Sequence, residues 1–222
     1  MEPTRLGEPS PPGALDALAR DDSSRKRFLR MAGGSAVAAG LSAALAACGS
    51  SKSNKTQALG PLAQFGTGDA AVANYALSLE QLEVQFYSAA IGSGKLSAKN
   101  AALFKRLSAE EQQHVGALTA MVKKLGGKPV QPQKATFPGG SEASVLSTAS
   151  TLENLGAGAY LGQLERIQSK ELLALVLSIH TVEGRHAASI ERVLGHSVTP
   201  DGAFALPVRA GDVQTQIQTY LG

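Results

Sequence analysis

The chain repeats one arrangement of glutamate and histidine, once in each half. A Leu-Glu-x-Leu segment at 79–82 or 152–155 is followed by Glu-x-x-His at 111–114 or 183–186. The glutamates of a pair are 31 residues apart in the first half (111 − 80) and 30 in the second (183 − 153). Residues equidistant from the turn of an antiparallel hairpin lie at one height. The spacing therefore predicts two helical hairpins whose four glutamates meet at the same level.

Apolar residues recur at helical spacing in four stretches, and none of these shows convincing strand alternation. The predicted helices are 69–91, 97–125, 143–167 and 170–194. Ser97 and Ser141 are suited to cap the second and third helices, and glycines follow the first, second and fourth. The connections are short, long and short. This order predicts an all-α, antiparallel four-helix bundle with a long crossover between helices 2 and 3.

Charged residues occupy positions on the apolar faces of these helices where leucine would be expected. In helix 4, Glu183 and His186 lie between Ile179 and Ile190 on this face. The inward-facing residues of this kind are Glu80, Glu111, His114, Glu153, Glu183 and His186. An uncompensated ionised carboxylate in a core costs several kcal/mol, so we expect positive charge to lie among them.

Three segments carry a resemblance to a known family: 74–80, 182–188 and 203–207. With the two Glu-x-x-His motifs, they make residues 69–221 similar to the ferritin-like superfamily of di-iron and di-manganese carboxylate proteins, in the branch that includes plant desiccation-related proteins. The resemblance implies a ferritin-like bundle that holds two metal ions. Carboxylate and imidazole ligands together suit iron (Fe) or manganese best and leave zinc and copper open, so iron is the expected metal.

The resemblance also implies a role for each residue of the site. Glu111 and Glu183, which begin the two Glu-x-x-His motifs, would bridge both metals. The other ligands would each bind one metal: Glu80, Glu153, His114 and His186. Tyr87 and Tyr160 would lie just outside the ligands, each hydrogen-bonding a ligand carboxylate across the bundle. Four carboxylates and two divalent ions sum to zero formal charge, so the occupied site can be buried.

Glu83 allows two interpretations. It lies one turn after Glu80 on the same predicted face, and the internal repeat places Gly156 opposite it. It would be an additional metal ligand, as in peroxide-reducing rubrerythrins, which add a carboxylate one turn along. It would otherwise be a solvated glutamate at the edge of the bundle. The sequence leaves both open.

Residues 1–47 have the layout of an export signal, in which a basic cluster precedes an uncharged stretch rich in Ala and Gly. The segment 24–30, which contains the cluster, resembles a twin-arginine signal. Lys26 stands where that signal usually has its second arginine. The general secretory route therefore stays open as the alternative.

Cys48, the only cysteine in the chain, ends a segment at 45–48 that resembles a bacterial lipobox. Cleavage there would make Cys48 the new N-terminus and a site for lipid. This predicts an exported lipoprotein, anchored to the outer face of the bacterial cytoplasmic membrane. Residues 48–68 would form a flexible tether, 69–195 the bundle, and 196–222 a tail that packs on the bundle.

The charge pattern and the implied metals limit what the protein does. A net charge of +3 is spread thinly, without a block of like charges, which argues against nucleic acid as a partner. A di-iron centre implies a redox enzyme that reacts with O₂ or peroxide, as a ferroxidase with Fe(II) as substrate or in oxidant removal. The alternative is a stress- or desiccation-related binding protein whose metal is structural or vestigial. The sequence leaves these two open, and a homo-oligomer as well.

Overall fold

The structure is a computed structural model that describes residues 60–221. Within that range it has no strand, and none of its helices is both long and apolar enough to cross a bilayer. Its α-helices are α1 (Gly68–Gly92), α2 (Ala98–Lys124), α3 (Glu142–Leu161), α4 (Lys170–Leu194) and α5 (Ala210–Ile217). The predicted export signal at 1–47, the predicted lipidation site Cys48 and the tether before residue 60 lie outside the described residues.

The four long helices pair as two hairpins, α1 with α2 and α3 with α4. On α4 the buried residues Leu172, Val176, Ile179 and Ile190 recur at the helical period, so one apolar stripe faces the core. Burying each of these side chains contributes roughly 1.5–3 kcal/mol. The all-α helical bundle predicted from the sequence is confirmed.

Capping side chains determine where three of the helices begin. Ser97 Oγ accepts a hydrogen bond from the Asn100 N–H at 3.4 Å, and Ser141 and Ser169 cap α3 and α4 in the same way. At the other end of α4, Gly195 has a φ of 75°, in the left-handed region that favours glycine. Ser97 and Ser169 lie in the two hairpin connections, so each connection ends at a capping serine.

The long crossover between α2 and α3 follows α1, and side-chain amides on α1 satisfy its backbone. Asn74 donates to the Lys128 carbonyl at 2.9 Å and accepts from the Val130 N–H at 3.0 Å. Gln81 and Gln85 donate to carbonyls further along, at 3.1 and 2.9 Å. Because these three residues are seven and four positions apart, they share one face of α1. That face therefore directs the crossover along the length of the helix.

Residues 60–67, which the sequence analysis assigned to the tether, pack against the bundle. They begin with a 3-10 helix, Gly60–Phe65, in which Leu62 is buried. The ring of Phe65 makes an edge contact with Tyr75 on α1, with 5.6 Å between ring centroids. These residues therefore belong to the folded domain, because their two large apolar side chains have partners in its core.

The third helix ends earlier than predicted, at Leu161 rather than at residue 167. The C-terminal segment crosses it there: the Val208 N–H donates to the Gly158 carbonyl at 2.9 Å. A Cβ on Gly162 would lie only 2.1 Å from the Val208 carbonyl oxygen, so the crossing requires glycine at that position. A second 3-10 helix, Leu164–Arg166, then leads into α4.

Glu191 lies outside the predicted apolar face of α4, yet it is buried and ties α4 to α3. Its carboxylate accepts hydrogen bonds from Ser150 at 2.5 Å and Asn154 at 2.9 Å, and it lies 2.9 Å from His196 Nδ1. Burial opposes its ionisation, but these hydrogen bonds outweigh burial and lower its pKa. The ionised carboxylate is therefore the form that the fold holds.

Replacing this carboxylate by an amide, Glu191→Gln, is expected to lower the free energy of unfolding by about 1–3 kcal/mol at neutral pH. The pKa of Glu191 in the folded protein lies below its ordinary value. Its carboxylate therefore stabilises the fold fully at pH values above the ordinary pKa, and this stabilisation is lost as the pH falls through the folded pKa. Urea unfolding at pH 7 and at acid pH measures the difference. A variant equally destabilised at both pH values would contradict this account, and the exposed Glu171→Gln is the control.

Candidate metal centre

Four glutamates, one from each long helix, meet at one level in the middle of the bundle. They are Glu80, Glu111, Glu153 and Glu183, and each is 0% exposed. The hairpin spacing explains the shared level, because each pair is nearly equidistant from its turn. With their histidines they form two clusters, each of which could hold a metal ion.

The two clusters share members. In each, the ligand atoms all lie within 4.8 Å of one another. The first cluster consists of Glu80, Glu111, His114 and Glu183, and the second of Glu111, Glu153, Glu183 and His186. Glu111 and Glu183 therefore face both clusters, whereas each histidine belongs to one.

His114 Nδ1 is the centre of the first cluster. It lies 2.9 Å from Glu111 Oε2, 3.1 Å from Glu80 Oε2 and 3.2 Å from Glu183 Oε1. His186 Nδ1 has the same place in the second cluster, 2.6 Å from Glu111 Oε1. Both histidines thus turn the same ring nitrogen towards the carboxylates.

Several atoms of the second cluster have no hydrogen-bond partner among the described residues. They are Glu111 Oε1, Glu153 Oε2, both Glu183 oxygens and His186 Nδ1. His186 Nδ1 and Glu111 Oε1 are 2.6 Å apart, but their orientation is not that of a hydrogen bond. Buried polar atoms normally have hydrogen-bond partners. Unpaired carboxylate oxygens and an imidazole nitrogen that converge on one point are atoms that coordinate metal ions, so their arrangement fits a shared cation. The residues present therefore suit a metal.

Two buried tyrosines contact the outer carboxylates, those of Glu80 and Glu153, which each belong to only one cluster. Each tyrosine lies in the hairpin opposite its glutamate. Tyr87 O–H on α1 donates to Glu153 Oε1 on α3, and Tyr160 O–H on α3 donates to Glu80 Oε1 on α1. Each bond joins one hairpin to the other and leaves the Oε2 atom of the glutamate turned towards a histidine. These are the contacts that the sequence analysis expected of Tyr87 and Tyr160.

Glu110 was not found by the sequence analysis, because it lies off the apolar face of α2. Its Oε2 accepts from His186 Nε2 at 2.6 Å, although its side chain is 39% exposed. The side chain reaches over to α4 from the rim of the bundle. The available signal was its position directly before Glu111.

The sequence profile of the ferritin-like domain family matches residues 68–196, which is more than half of the chain and includes every residue of both clusters. The chain belongs to the ferritin-like domain family. It is similar to a solved structure, the crystal structure of a conserved hypothetical protein, rv2844, from Mycobacterium tuberculosis. The two share 18% identity with a TM-score of 0.53, over 58% of this chain and 98% of that chain, a likeness of fold. No curated protein matches the chain.

The ionisation of the ferritin-like core, meaning the buried glutamates and histidines of the two clusters, depends on charge balance. Burial raises the pKa of Glu80 to about 8 and, helped by the Glu80 carboxylate, raises that of Glu183 well above its usual range. Burial also opposes the charge on Glu111, but its hydrogen bond with His114 and its close contact with His186 outweigh burial and lower that pKa to about 2. The same contacts overcome burial at the histidines and raise their pKa values to about 12 and about 11. Protons thus provide positive charge to the cluster, and a metal ion would compete with them.

Glu83 also lies inside this ferritin-like core. It is 3% exposed, so it is not a solvated residue at the edge of the bundle. A Cβ on Gly156 would lie 2.9 Å from Glu83 Oε1 and 3.2 Å from Glu183 Oε2. The missing side chain at Gly156 therefore leaves the space in which Glu83 approaches the shared carboxylate Glu183.

Filling that space, as in Gly156→Ala, is expected to displace the carboxylates of Glu83 and Glu183 and to weaken metal binding by about 10-fold. Titration with Mn(II), followed by electron paramagnetic resonance, measures the affinity. Gly184→Ala is the matched control, because it is also a helical glycine and nothing lies within 4 Å of a Cβ there. An affinity unchanged in Gly156→Ala would show that the space is not needed.

An open groove of about 430 Å³ reaches the histidines of the ferritin-like core from the surface. Its lining comes from α2 and α4: Arg106, Glu110, Gln113, His114, Val182, Arg185, His186 and Ser189. The side chain of His114 is 12% exposed and that of His186 3%. The groove therefore offers small solutes a path to the candidate ligands His114 and His186 that does not cross the apolar core.

Proposed function

We propose that this ferritin-like protein binds two metal ions and that the loaded centre reacts with O₂ or peroxide. Glu111 and Glu183 would bridge the two ions. The ligands of a single ion would be Glu80 with His114 and Glu153 with His186. The observation that carries the proposal is the overlap of the two clusters at the same pair of carboxylates.

Charge supports two ions rather than one. The four glutamates of the clusters contribute −4 when ionised, and two divalent ions contribute +4, so the loaded centre is formally neutral while Glu83 is protonated. Burial and the neighbouring carboxylates raise the pKa of Glu83 well above its usual range. A single divalent ion would leave two uncompensated charges at a site where every glutamate is 0% exposed. Two ions therefore allow all four carboxylates to be ionised and buried together.

Iron is the metal that we propose. The donor atoms are carboxylate oxygens and imidazole nitrogens, without a thiolate, and this set suits iron or manganese. Manganese and zinc are the alternatives, and metal analysis of the purified protein separates them. Iron also suits a redox role, because it changes oxidation state readily in such surroundings.

Two Fe(II) ions supply two electrons, the number that reduces one peroxide, with two protons, to two waters. The chain would supply the ligands for that reaction. Tyr87 and Tyr160 fix the Oε1 atoms of Glu153 and Glu80, so that each Oε2 faces the centre. Burial and the neighbouring carboxylates raise the pKa of both tyrosines well above their usual range, so both remain hydrogen-bond donors at neutral pH.

Anaerobic loading with Fe(II), followed by mixing with O₂ or peroxide, tests the reaction. Near-UV absorbance should report oxidation of about two Fe(II) per chain, faster than in protein-free buffer. The double variant Glu111→Ala/Glu183→Ala should react at the rate of buffer, and the exposed Glu171→Ala at the rate of wild type. A wild type that binds iron yet oxidises it no faster than buffer would favour the alternative, a stress-related protein with a structural metal.

We also propose export and lipid anchoring at Cys48, with the outer face of the cytoplasmic membrane as the site of action. This rests on the sequence of residues 24–48, which lie outside the described residues. Fatty-acid labelling of the expressed protein tests it. Label retained in Cys48→Ala would contradict the assignment.

A further inference from the structure

The two histidines of the centre differ in what their second ring nitrogen contacts. His186 Nε2 donates to the Glu110 carboxylate at 2.6 Å, which holds a proton on Nε2 and makes Nδ1, 2.6 Å from Glu111 Oε1, the nitrogen that a metal ion would bind. Within residues 60–221, by contrast, no side chain or backbone group accepts a hydrogen bond from His114 Nε2. The two halves of the site are therefore unequal just outside their ligands.

The internal repeat explains this difference. Glu110 directly precedes Glu111, and the residue that directly precedes Glu183 in the other half is Val182. Val182 and His114 line the same groove, so valine stands where an acceptor for that histidine would be expected. A valine side chain accepts no hydrogen bond. Nothing from the repeat therefore fixes the tautomer of His114.

A carboxylate on the far nitrogen of a ligating histidine fixes its tautomer and orientation and raises its basicity. Loss of such a partner typically costs 10–100-fold in metal affinity. The side chain of His114 is also more exposed, 12% against 3% for His186. Both differences should make the metal affinity higher in the cluster that contains His186 than in the cluster that contains His114.

We propose that the two metal positions fill in order, the first ion beside His186, where Glu110 acts as a positioning residue, and the second beside His114, where it stays exchangeable. This rests on the proposed two-metal centre. The second position would bind about 10–100-fold more weakly. Because His114 is the more exposed of the two histidines that line the groove, its position is the one at which Fe(II) would enter and leave.

Calorimetric titration of the wild-type domain with Mn(II) should resolve two steps separated by about 10–100-fold. Glu110→Val should weaken the tighter step by a similar factor, so that the two steps merge. Val182→Glu should strengthen the weaker step. The exposed Glu171→Val is the control and should leave both steps unchanged.

The double variant Glu110→Val/Val182→Glu exchanges the two residues without changing the composition or net charge. Its titration should again show two steps, now in the reverse order. Crystals grown with one equivalent of Mn(II) identify the occupied position by anomalous diffraction, which should lie beside His186 in wild type and beside His114 in the exchange variant. A role for Glu110 in folding alone would not reverse the order.

The outcomes separate this inference from the function on which it rests. A wild-type protein that binds no Mn(II) and no Fe(II) would overturn the proposed centre itself. Two steps of equal affinity, or the same first position in wild type and exchange variant, would overturn the ordered filling and leave the two-metal centre standing.

Discussion

Removal of the metal is expected to lower the melting temperature of the protein by on the order of 10 °C. An ion that binds only the folded state adds about 4.1 kcal/mol when its free concentration is a thousand times Kd. For a domain of this size, each kcal/mol shifts Tm by about 2–4 °C. The physical cause is the cluster of four buried carboxylates, which loses its compensating charge.

Differential scanning calorimetry of the Fe(II)- or Mn(II)-loaded protein, before and after dialysis against a chelator, measures the shift. The double variant Glu111→Ala/Glu183→Ala provides the control, because its Tm should not respond to chelator. Equal melting temperatures for the loaded and the stripped wild type would contradict coupling between metal binding and folding.

Loss of either shared glutamate should remove both metal ions, whereas loss of an outer glutamate should remove one. Glu111 and Glu183 each belong to both clusters, so Glu111→Ala or Glu183→Ala takes a ligand from each ion at once. The metal content should then fall from about two ions per chain to about none. Glu80 belongs to one cluster, so Glu80→Ala should retain about one ion, beside His186.

Elemental analysis after loading and gel filtration gives these stoichiometries, and the exposed Glu171→Ala should keep both ions. One ion retained in Glu111→Ala would show that this carboxylate does not bridge. Loss of both ions in Glu80→Ala would show that the two positions depend on each other more than the shared ligands require.

Much of the fold could be predicted because each helix carries local signals. The fourth helix, predicted at 170–194, has those bounds, since Ser169 caps its start and Gly195 ends it. The third helix was predicted six residues too long, because the segment around Val208 that crosses its end is distant in sequence. Local periodicity carries no information about such a crossing.

The glutamates and histidines of the site could be predicted for a different reason. Their spacing relates them to the hairpin turns, so equal distances from a turn become equal heights in the bundle. Glu110 and Glu191 could not be found in this way, because long side chains reach partners on another helix from positions off the apolar face. Glu83 required the structure, because the room that it occupies depends on the absence of a side chain at Gly156.

The two hydrogen bonds from tyrosine run in opposite directions between the hairpins. Tyr87 in the first hairpin donates a hydrogen bond to a glutamate of the second, and Tyr160 in the second hairpin donates one to a glutamate of the first. Each cluster likewise draws its ligands from both hairpins. Neither half of the chain therefore contains a complete binding site, although each contains the whole motif. The duplicated halves are arranged like the two subunits of a dimer joined into one polypeptide, and the candidate metal site belongs to their association.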